Sequence, residues 1–247
     1  MKTKLKNIRN FLVCLLLIPS LTLAKQIHSP IKLLPQTYIS MSLGYIRNIV
    51  NGNSHRIDTT LPPGSPSYLT AYNFTGADAP ILQVGGGYFY PLTPHWGWSL
   101  GGRLSSATLE QDGKEEISQL PNVFSSYNYN ISATIVSAVT RLSYKINLWQ
   151  YYGELNVGVV RLNSDNFFIS GTPEFYTSKT VWNRSYGVSL GVVRYFNRHT
   201  SIGFSANILD MGNATLGEIR AEPPIPDSGI KQHLRTTILT LTVTHWF

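Results

Sequence analysis

The sequence contains little cysteine, little charge and no long apolar run after its first residues, and each shortage excludes a class of protein. Cys14 is the only cysteine among the 247 residues, which excludes a disulfide-stapled scaffold and sites built on several cysteines. Charged residues make up 13% of the chain, about half of the ~25% usual in globular domains, which argues against a coiled coil and a disordered chain. No later window approaches the ~18 apolar residues of a membrane-spanning helix. The 20 glycines and 14 tyrosines indicate β-structure instead.

The first 24 residues have the pattern of a secretory signal peptide. A basic start is formed by Lys2, Lys4, Lys6 and Arg9. The apolar segment Phe11–Leu23 follows, and small residues precede a cleavage site between Ala24 and Lys25. Removing this segment takes away four basic residues and no acidic one, which lowers the formal net charge from +7 to +3. Nucleic acid is therefore not expected as a partner, and the mature chain is expected to have no thiol.

Eight segments of the remaining chain alternate apolar with small or polar residues, which predicts β-strands. They are Tyr38–Ile46, Ile81–Tyr90, Trp96–Leu109, Tyr127–Ile146, Tyr151–Leu162, Trp182–Tyr195, Ser201–Leu209 and Gln232–Phe247. The connections between them alternate in length. Those at 91–95, 147–150 and 196–200 are short, and those at 47–80, 110–126, 163–181 and 210–231 are long and polar. A soluble sandwich has no reason to put every long loop at one end, whereas an up-and-down barrel in the outer membrane does.

The composition of the two strand faces also favours a barrel. Gly, Ser, Thr and Asn dominate the polar face, which suits a crowded lumen. Aromatic residues near the strand ends suggest interfacial girdles: Tyr45, Tyr88, Tyr90, Trp96, Trp98, Tyr129, Tyr144, Tyr151 and Tyr186. The sequence therefore predicts an all-β, eight-stranded antiparallel up-and-down transmembrane β-barrel with short periplasmic turns and long extracellular loops. The expected organisation is a signal peptide over 1–24, a short periplasmic segment over 25–37 and the barrel over 38–247.

The last strand carries a resemblance to a known family. The chain ends at Phe247 with apolar residues two apart behind it, at Val243, Leu241 and Leu239. With the leader, the eight strands and the segment Tyr151–Leu155, it resembles bacterial outer-membrane barrels of the OmpA/OmpX/opacity type. His245 departs from the pattern, because an aromatic or apolar residue is usual there.

The resemblance implies a location and a set of partners. Leu239, Leu241, Val243 and Phe247 would be the signal read by the barrel-assembly machinery during insertion. The protein would lie in the Gram-negative outer membrane as a monomer, in contact with lipid and lipopolysaccharide.

A polar cluster is predicted inside the barrel. Strand parity places Gln83, Arg103, Arg141, Glu154 and Asn156 on the inward face. Arg141 and Glu154 flank the 147–150 turn almost symmetrically, because their numbers centre between Asn147 and Leu148, so they are expected to form a cross-strand pair, with Arg103 as a second donor. The cluster is either an internal salt bridge that fills the barrel or part of a gate or ion path. An eight-stranded interior is just wide enough for side chains, so a polar core is expected and a wide pore is not.

Three functions are compatible with such a barrel. The favoured one is a structural, surface-exposed role in adhesion, immune evasion or envelope integrity, with a host or surface ligand bound by the loops. The alternative is a narrow, weakly anion-preferring channel, since two inward arginines oppose one inward glutamate. A lipid A-modifying enzyme is less favoured, because the segment His199–Ser201 falls in a periplasmic turn and Asp210 lacks a histidine of suitable parity. No enzymatic activity, cofactor or metal site is predicted.

Overall fold

The computed structural model describes residues 34–49, 53–58, 68–74, 78–117, 124–169, 177–217 and 231–247. The predicted signal peptide and the junction between Ala24 and Lys25 lie outside these residues. Ten β-strands are present in the described parts: β1 Gln36–Asn48, β2 Asn53–Asp58, β3 Tyr68–Phe74, β4 Asp78–Pro91, β5 Trp96–Ile117, β6 Phe124–Ile146, β7 Trp149–Ile169, β8 Lys179–Tyr195, β9 Thr200–Thr215 and β10 Lys231–Trp246. Within these ranges, no helix is long and apolar enough to cross a membrane.

Eight of the strands form a closed antiparallel barrel. The order around the ring is β5-β4-β1-β10-β9-β8-β7-β6, and an additional pairing of β5 with β6 closes it. Strands that follow one another in the ring sequence are neighbours, as in an up-and-down barrel. The ring is joined by the pairing of its first strand, β1, with its last strand, β10. The predicted fold class is confirmed.

Short turns join the strands at the end of the barrel where β1 starts and β10 ends. They cover residues 92–95, 147–148 and 196–199, close to the predicted positions. The turn between β6 and β7 has only two residues, and Asn147 adopts a φ of 54° there. Asparagine tolerates this left-handed conformation better than most residues. The turn sets the register that places Arg141 opposite Glu154.

The connections at the other end are shorter than the sequence suggested. β5 continues to Ile117 and β6 begins at Phe124, so most of the predicted loop 110–126 is strand. The segment 47–80, predicted to be a loop, contains the antiparallel hairpin β2–β3, and β3 pairs with β5 beyond the point where β4 begins. The hairpin could not be predicted from alternation, because Asn53–Asp58 has almost no apolar residues. It is held by the backbone pairing of β3 with β5.

The outward face carries a belt of exposed apolar side chains. On β8 the outward residues between Arg184 and Arg194 are Tyr186, Val188, Leu190 and Val192, and Leu190 is 69% exposed. Ten residues of a tilted strand rise about 25 Å, the height of the apolar band of outer-membrane barrels. An apolar surface of this extent is covered by lipid rather than water.

Aromatic side chains border the belt, with one exception among those predicted. Tyr90, Trp96 and Tyr151 are exposed near the short turns, and Tyr45 and Tyr186 lie near the opposite edge. Tyr129 was assigned to the girdle wrongly. It shares the inward parity of Arg141 on β6 and is buried inside the barrel.

Candidate functional site in the barrel lumen

Glu154 is the centre of the polar cluster in the lumen. Its side chain is 1% exposed and accepts hydrogen bonds from two arginines, Arg141 on the neighbouring strand β6 and Arg103 on β5. Arg103 Nη2 lies 2.7 Å from Oε1, while Arg141 Nη2 and Nε lie 2.7 and 3.1 Å from Oε2. Ser189 Oγ also donates to Oε1 at 3.3 Å. The carboxylate thus has a fixed position with both oxygens in use.

The two arginines give this layer of the lumen an excess of positive charge. The Arg141 guanidinium stacks on the Tyr152 ring at 3.9 Å from its centroid, an arrangement that suits its flat, delocalised charge. Each arginine side chain is 18% exposed, toward a small polar cavity. The cavity has a volume of ≈ 20 Å³, which is enough for one or two water molecules.

Gln83 and Asn156, the other predicted members of the cluster, are buried on the same inward face. Gln83 lines the cavity beside Arg103 and Arg141. Asn156 packs against Gly187, where an added Cβ would lie 2.5 Å from Asn156 Oδ1. The structure therefore places all five predicted residues on the inward face of the barrel, and the ion pairs that it shows within this cluster are those of Glu154.

The half of the lumen near the long connections is apolar, which corrects the expectation of a polar core throughout. Inward side chains from all around the ring pack together there and form what we call the apolar plug: Ile46, Ile81, Leu109, Ile131, Leu162, Met211, Leu234 and Ile238. A short polar chain crosses it, in which the Tyr129 hydroxyl donates to Gln232, and Gln232 Nε2 donates to Gln111 Oε1 at 2.9 Å. Period-two alternation shows that the plug residues point inward. It does not show whether the inward face is polar or apolar, and for this reason the prediction of a polar core is wrong in this half of the lumen.

The end near the short turns is closed by aromatic rings that the sequence analysis did not identify. Trp246 contacts Tyr38, Phe89 and Tyr195 with ring centroids 5.2, 5.9 and 5.7 Å apart. Its indole Nε1 donates to Ser201 Oγ at 2.9 Å. The inward position of Trp246 could have been predicted, because Trp246 has the same parity as the inward threonines of β10. We call this group the aromatic floor.

A histidine and an aspartate meet on the outside of the barrel, contrary to the sequence analysis. His233 Nε2 lies 3.0 Å from Asp210 Oδ2, and His233 Nδ1 lies 3.1 Å from Asn213 Oδ1. Both residues have the outward parity of their strands, and the register of β9 against β10 shifts beside them, between Leu234 and Arg235. Both ring nitrogens thus lie within hydrogen-bonding distance of an oxygen atom. No group of three potential metal ligands occurs in the described ranges.

The residues of the proposed assembly signal all lie on the outward face of β10. Leu239, Leu241, Val243 and Phe247 are exposed to the lipid side. His245 also points outward and packs edge-on against Phe247, with ring centroids 4.7 Å apart. Its imidazole therefore occupies the place of the usual aromatic residue, while the role of these residues in assembly stays a prediction.

Comparisons with known proteins agree with the architecture. No protein-family model matches the chain, and no curated protein matches it either. The outer membrane protein OprG from Pseudomonas aeruginosa aligns with a TM-score of 0.52 at 12% identity, over 89% of this chain and 99% of that one. The outer membrane protease OmpT from Escherichia coli gives 0.49 at 10% identity, over 86% and 97%, and Neisserial surface protein A gives 0.47 at 9%, over 85% and 97%. The likeness to OprG shows a shared fold, that of an outer-membrane β-barrel, and the apolar belt is consistent with that location.

Proposed function

We propose that this barrel is a sealed anchor that presents its extracellular end for adhesion, immune evasion or envelope integrity. The packing of the lumen carries the proposal. The apolar plug fills one half, the aromatic floor fills the other end, and the cavity between them holds ≈ 20 Å³. With such an interior, specific contacts have to be made by the outer surface.

The height of the barrel wall supports the same role. On β5 the outward apolar residues end at Leu104, and the polar residues Ser106, Thr108 and Glu110 follow. The strand continues to Ile117, so the wall formed by β5 and β6 extends about 30 Å beyond the apolar belt. A wall of this height lifts the ends of these strands well above the lipid surface, where the loops of a rigid scaffold commonly bind partners.

Replacing the connecting segments tests the proposal. In one variant, residues 59–67 and 218–230 would both be exchanged for short Gly-Ser linkers. Bacteria that express this variant or the wild type would be compared for attachment to host cells and survival in serum. The variant is expected to run as a folded, heat-modifiable barrel and to lose both properties. Unchanged attachment and survival would refute a surface role for these segments.

A narrow anion-preferring channel is the second candidate, supported by Arg103 and Arg141 beside the single Glu154. Planar-bilayer recording separates the two functions. A sealed anchor gives no steady conductance in the wild type, because the apolar plug and the aromatic floor both close the lumen. Steady anion-selective conductance of the wild type, altered by Arg103→Gln, would establish the channel.

The proposed role involves no chemical step. The lipid A of cells that express the protein is expected to have an unchanged mass spectrum. A loss or gain of acyl chains that depends on His233 or Asp210 would show that the barrel is an enzyme.

A further inference from the structure

A row of charged residues lies on the outward face just above the apolar belt. On β1 and β4, Arg47 Nε lies 3.7 Å from Asp78 Oδ1. On β9 and β10, Asp210 pairs with His233 and is the cross-strand neighbour of Arg235. Arg47, His233 and Arg235 therefore each have a carboxylate beside them.

Arg161 on β7 and Arg184 on β8 form no such pair, although Asp210, the cross-strand partner of Tyr186, is a diagonal neighbour of Arg184. Both are exposed, and neither has an ion-pair partner among the residues that the structure describes. Arg161 is the cross-strand partner of Trp182, and Arg184 is the partner of Val159. The two arginines are thus diagonal neighbours on one face, whose Cα atoms are about 7–8 Å apart in an antiparallel sheet.

Trp182 fixes the level of this pair relative to the membrane. Its side chain is 68% exposed and lies on the outward face directly beside Arg161. Exposed tryptophans of membrane proteins sit at the headgroup level. On the same strand, Arg194 marks the other edge of the apolar belt, so Arg161 and Arg184 lie at the edge nearer to the long connections.

The lipid-facing surface below the pair is apolar. Leu155, Val157 and Val159 on β7 and Val188 and Leu190 on β8 are all exposed. A ligand that has an anionic head and several acyl chains would match both parts of this surface. Guanidinium groups bind phosphate through paired hydrogen bonds, which makes a phosphate the suitable head.

We infer that Arg161, Arg184 and Trp182 form a binding site for the phosphate group of an outer-leaflet glycolipid, the lipid A part of lipopolysaccharide. The acyl chains lie on the apolar surface of β7 and β8 below them. The site belongs to the wall of the barrel and does not depend on the proposed surface function, because the connecting segments contribute none of its residues.

Native mass spectrometry of the refolded barrel in detergent tests the site with purified bis-phosphorylated lipid A. Each arginine near a lipid surface strengthens binding about fivefold, so R161Q/R184Q is expected to weaken lipid A binding about 25-fold. R194Q is the matched control, since Arg194 is an outward arginine of the same strand at the opposite edge, and it is expected to bind like the wild type. Heat-modifiable migration shows that each variant is folded.

Three results would overturn the inference: equal binding by R161Q/R184Q and the wild type, an equal loss in R194Q, or wild-type binding that is unaffected by removing both phosphates from lipid A. The last measurement uses only the wild type, so it decides the matter even where the double variant does not fold. Displacement of lipid A by millimolar inorganic phosphate would also count against a glycolipid site. The linker variant of residues 59–67 and 218–230 is expected to bind lipid A normally, which separates this inference from the surface role.

Discussion

Removing Glu154 should destabilise the barrel more than removing either of its partners. In Glu154→Ala, the guanidiniums of Arg103 and Arg141 remain together in the lumen without their shared carboxylate. Breaking a buried ion pair in this way costs about 3–5 kcal/mol. For a chain of this size, that corresponds to a fall in Tm of about 6–20 °C.

Arg103→Ala should cost less, because the carboxylate keeps most of its partners. Arg141 still donates two hydrogen bonds to Oε2, and Ser189 still donates to Oε1. The loss is one hydrogen bond to a charged group, about 1.5–3 kcal/mol. The asymmetry follows from the two-to-one composition of the cluster.

Urea unfolding of the barrel in lipid vesicles, followed by tryptophan fluorescence, measures both effects. Glu154→Gln serves as the control for volume, since it removes the charge while keeping the side-chain length. The double variant Arg103→Ala/Glu154→Ala should be less destabilised than the sum of the single variants, because it removes one of the two uncompensated cations. Equal or greater destabilisation by Arg103→Ala than by Glu154→Ala would refute the reasoning.

Three further expectations follow from packing. Gly158→Ala should prevent folding, because a Cβ would lie 2.1 Å from the Val136 carbonyl oxygen, whereas Gly153→Ala has no atom closer than 3.8 Å and should fold; the folded fraction on an unheated gel distinguishes them, and equal fractions would contradict this. Leu234→Ala should lower the free energy of unfolding by about 2–5 kcal/mol, since Leu234 is fully buried in the plug; a urea midpoint like that of the wild type would argue against tight packing there. Phe247→Ala should reduce assembly in cells while leaving the purified barrel as stable as before, because the ring is exposed on the lipid side; normal amounts in the outer membrane would rule out its role as a signal.

The ring of strands and the central ion pair could be predicted because both depend on local regularities. Period-two alternation determines strands without knowledge of their neighbours. The pairing of Arg141 with Glu154 needed only a short turn, since the register of a hairpin follows from its turn. The involvement of Arg103, two strands away in the sequence order, followed from the inward parity shared by all three residues.

The rest depended on information that alternation does not contain. Tyr129 and the residues of the plug have inward parity, but nothing in the pattern says that the lumen is apolar near the long connections. His233 and Asp210 both have outward parity, but their contact also requires the register of the two strands, which shifts between Leu234 and Arg235, where β9 has one residue more than β10. Gly212 supports this irregularity with a φ of 72°, a conformation that glycine adopts without steric cost.

The apolar plug and the apolar belt lie at different heights and on opposite faces of the same strands, so each strand has to change its apolar face where the belt ends. Doublets of adjacent large side chains occur at this level, one inward and one outward: Tyr45-Ile46, Ile81-Leu82, Ile135-Val136, Val159-Val160, Ile208-Leu209 and Ile238-Leu239. Each doublet is a phase shift in the alternation, and together they mark the water–lipid boundary on β1, β4, β6, β7, β9 and β10. The positions of the doublets in the sequence therefore determine how deeply the barrel is inserted. Moving the doublets by two positions along these strands is expected to raise or lower the barrel in the bilayer by roughly 5 Å, the rise of two residues in a tilted strand.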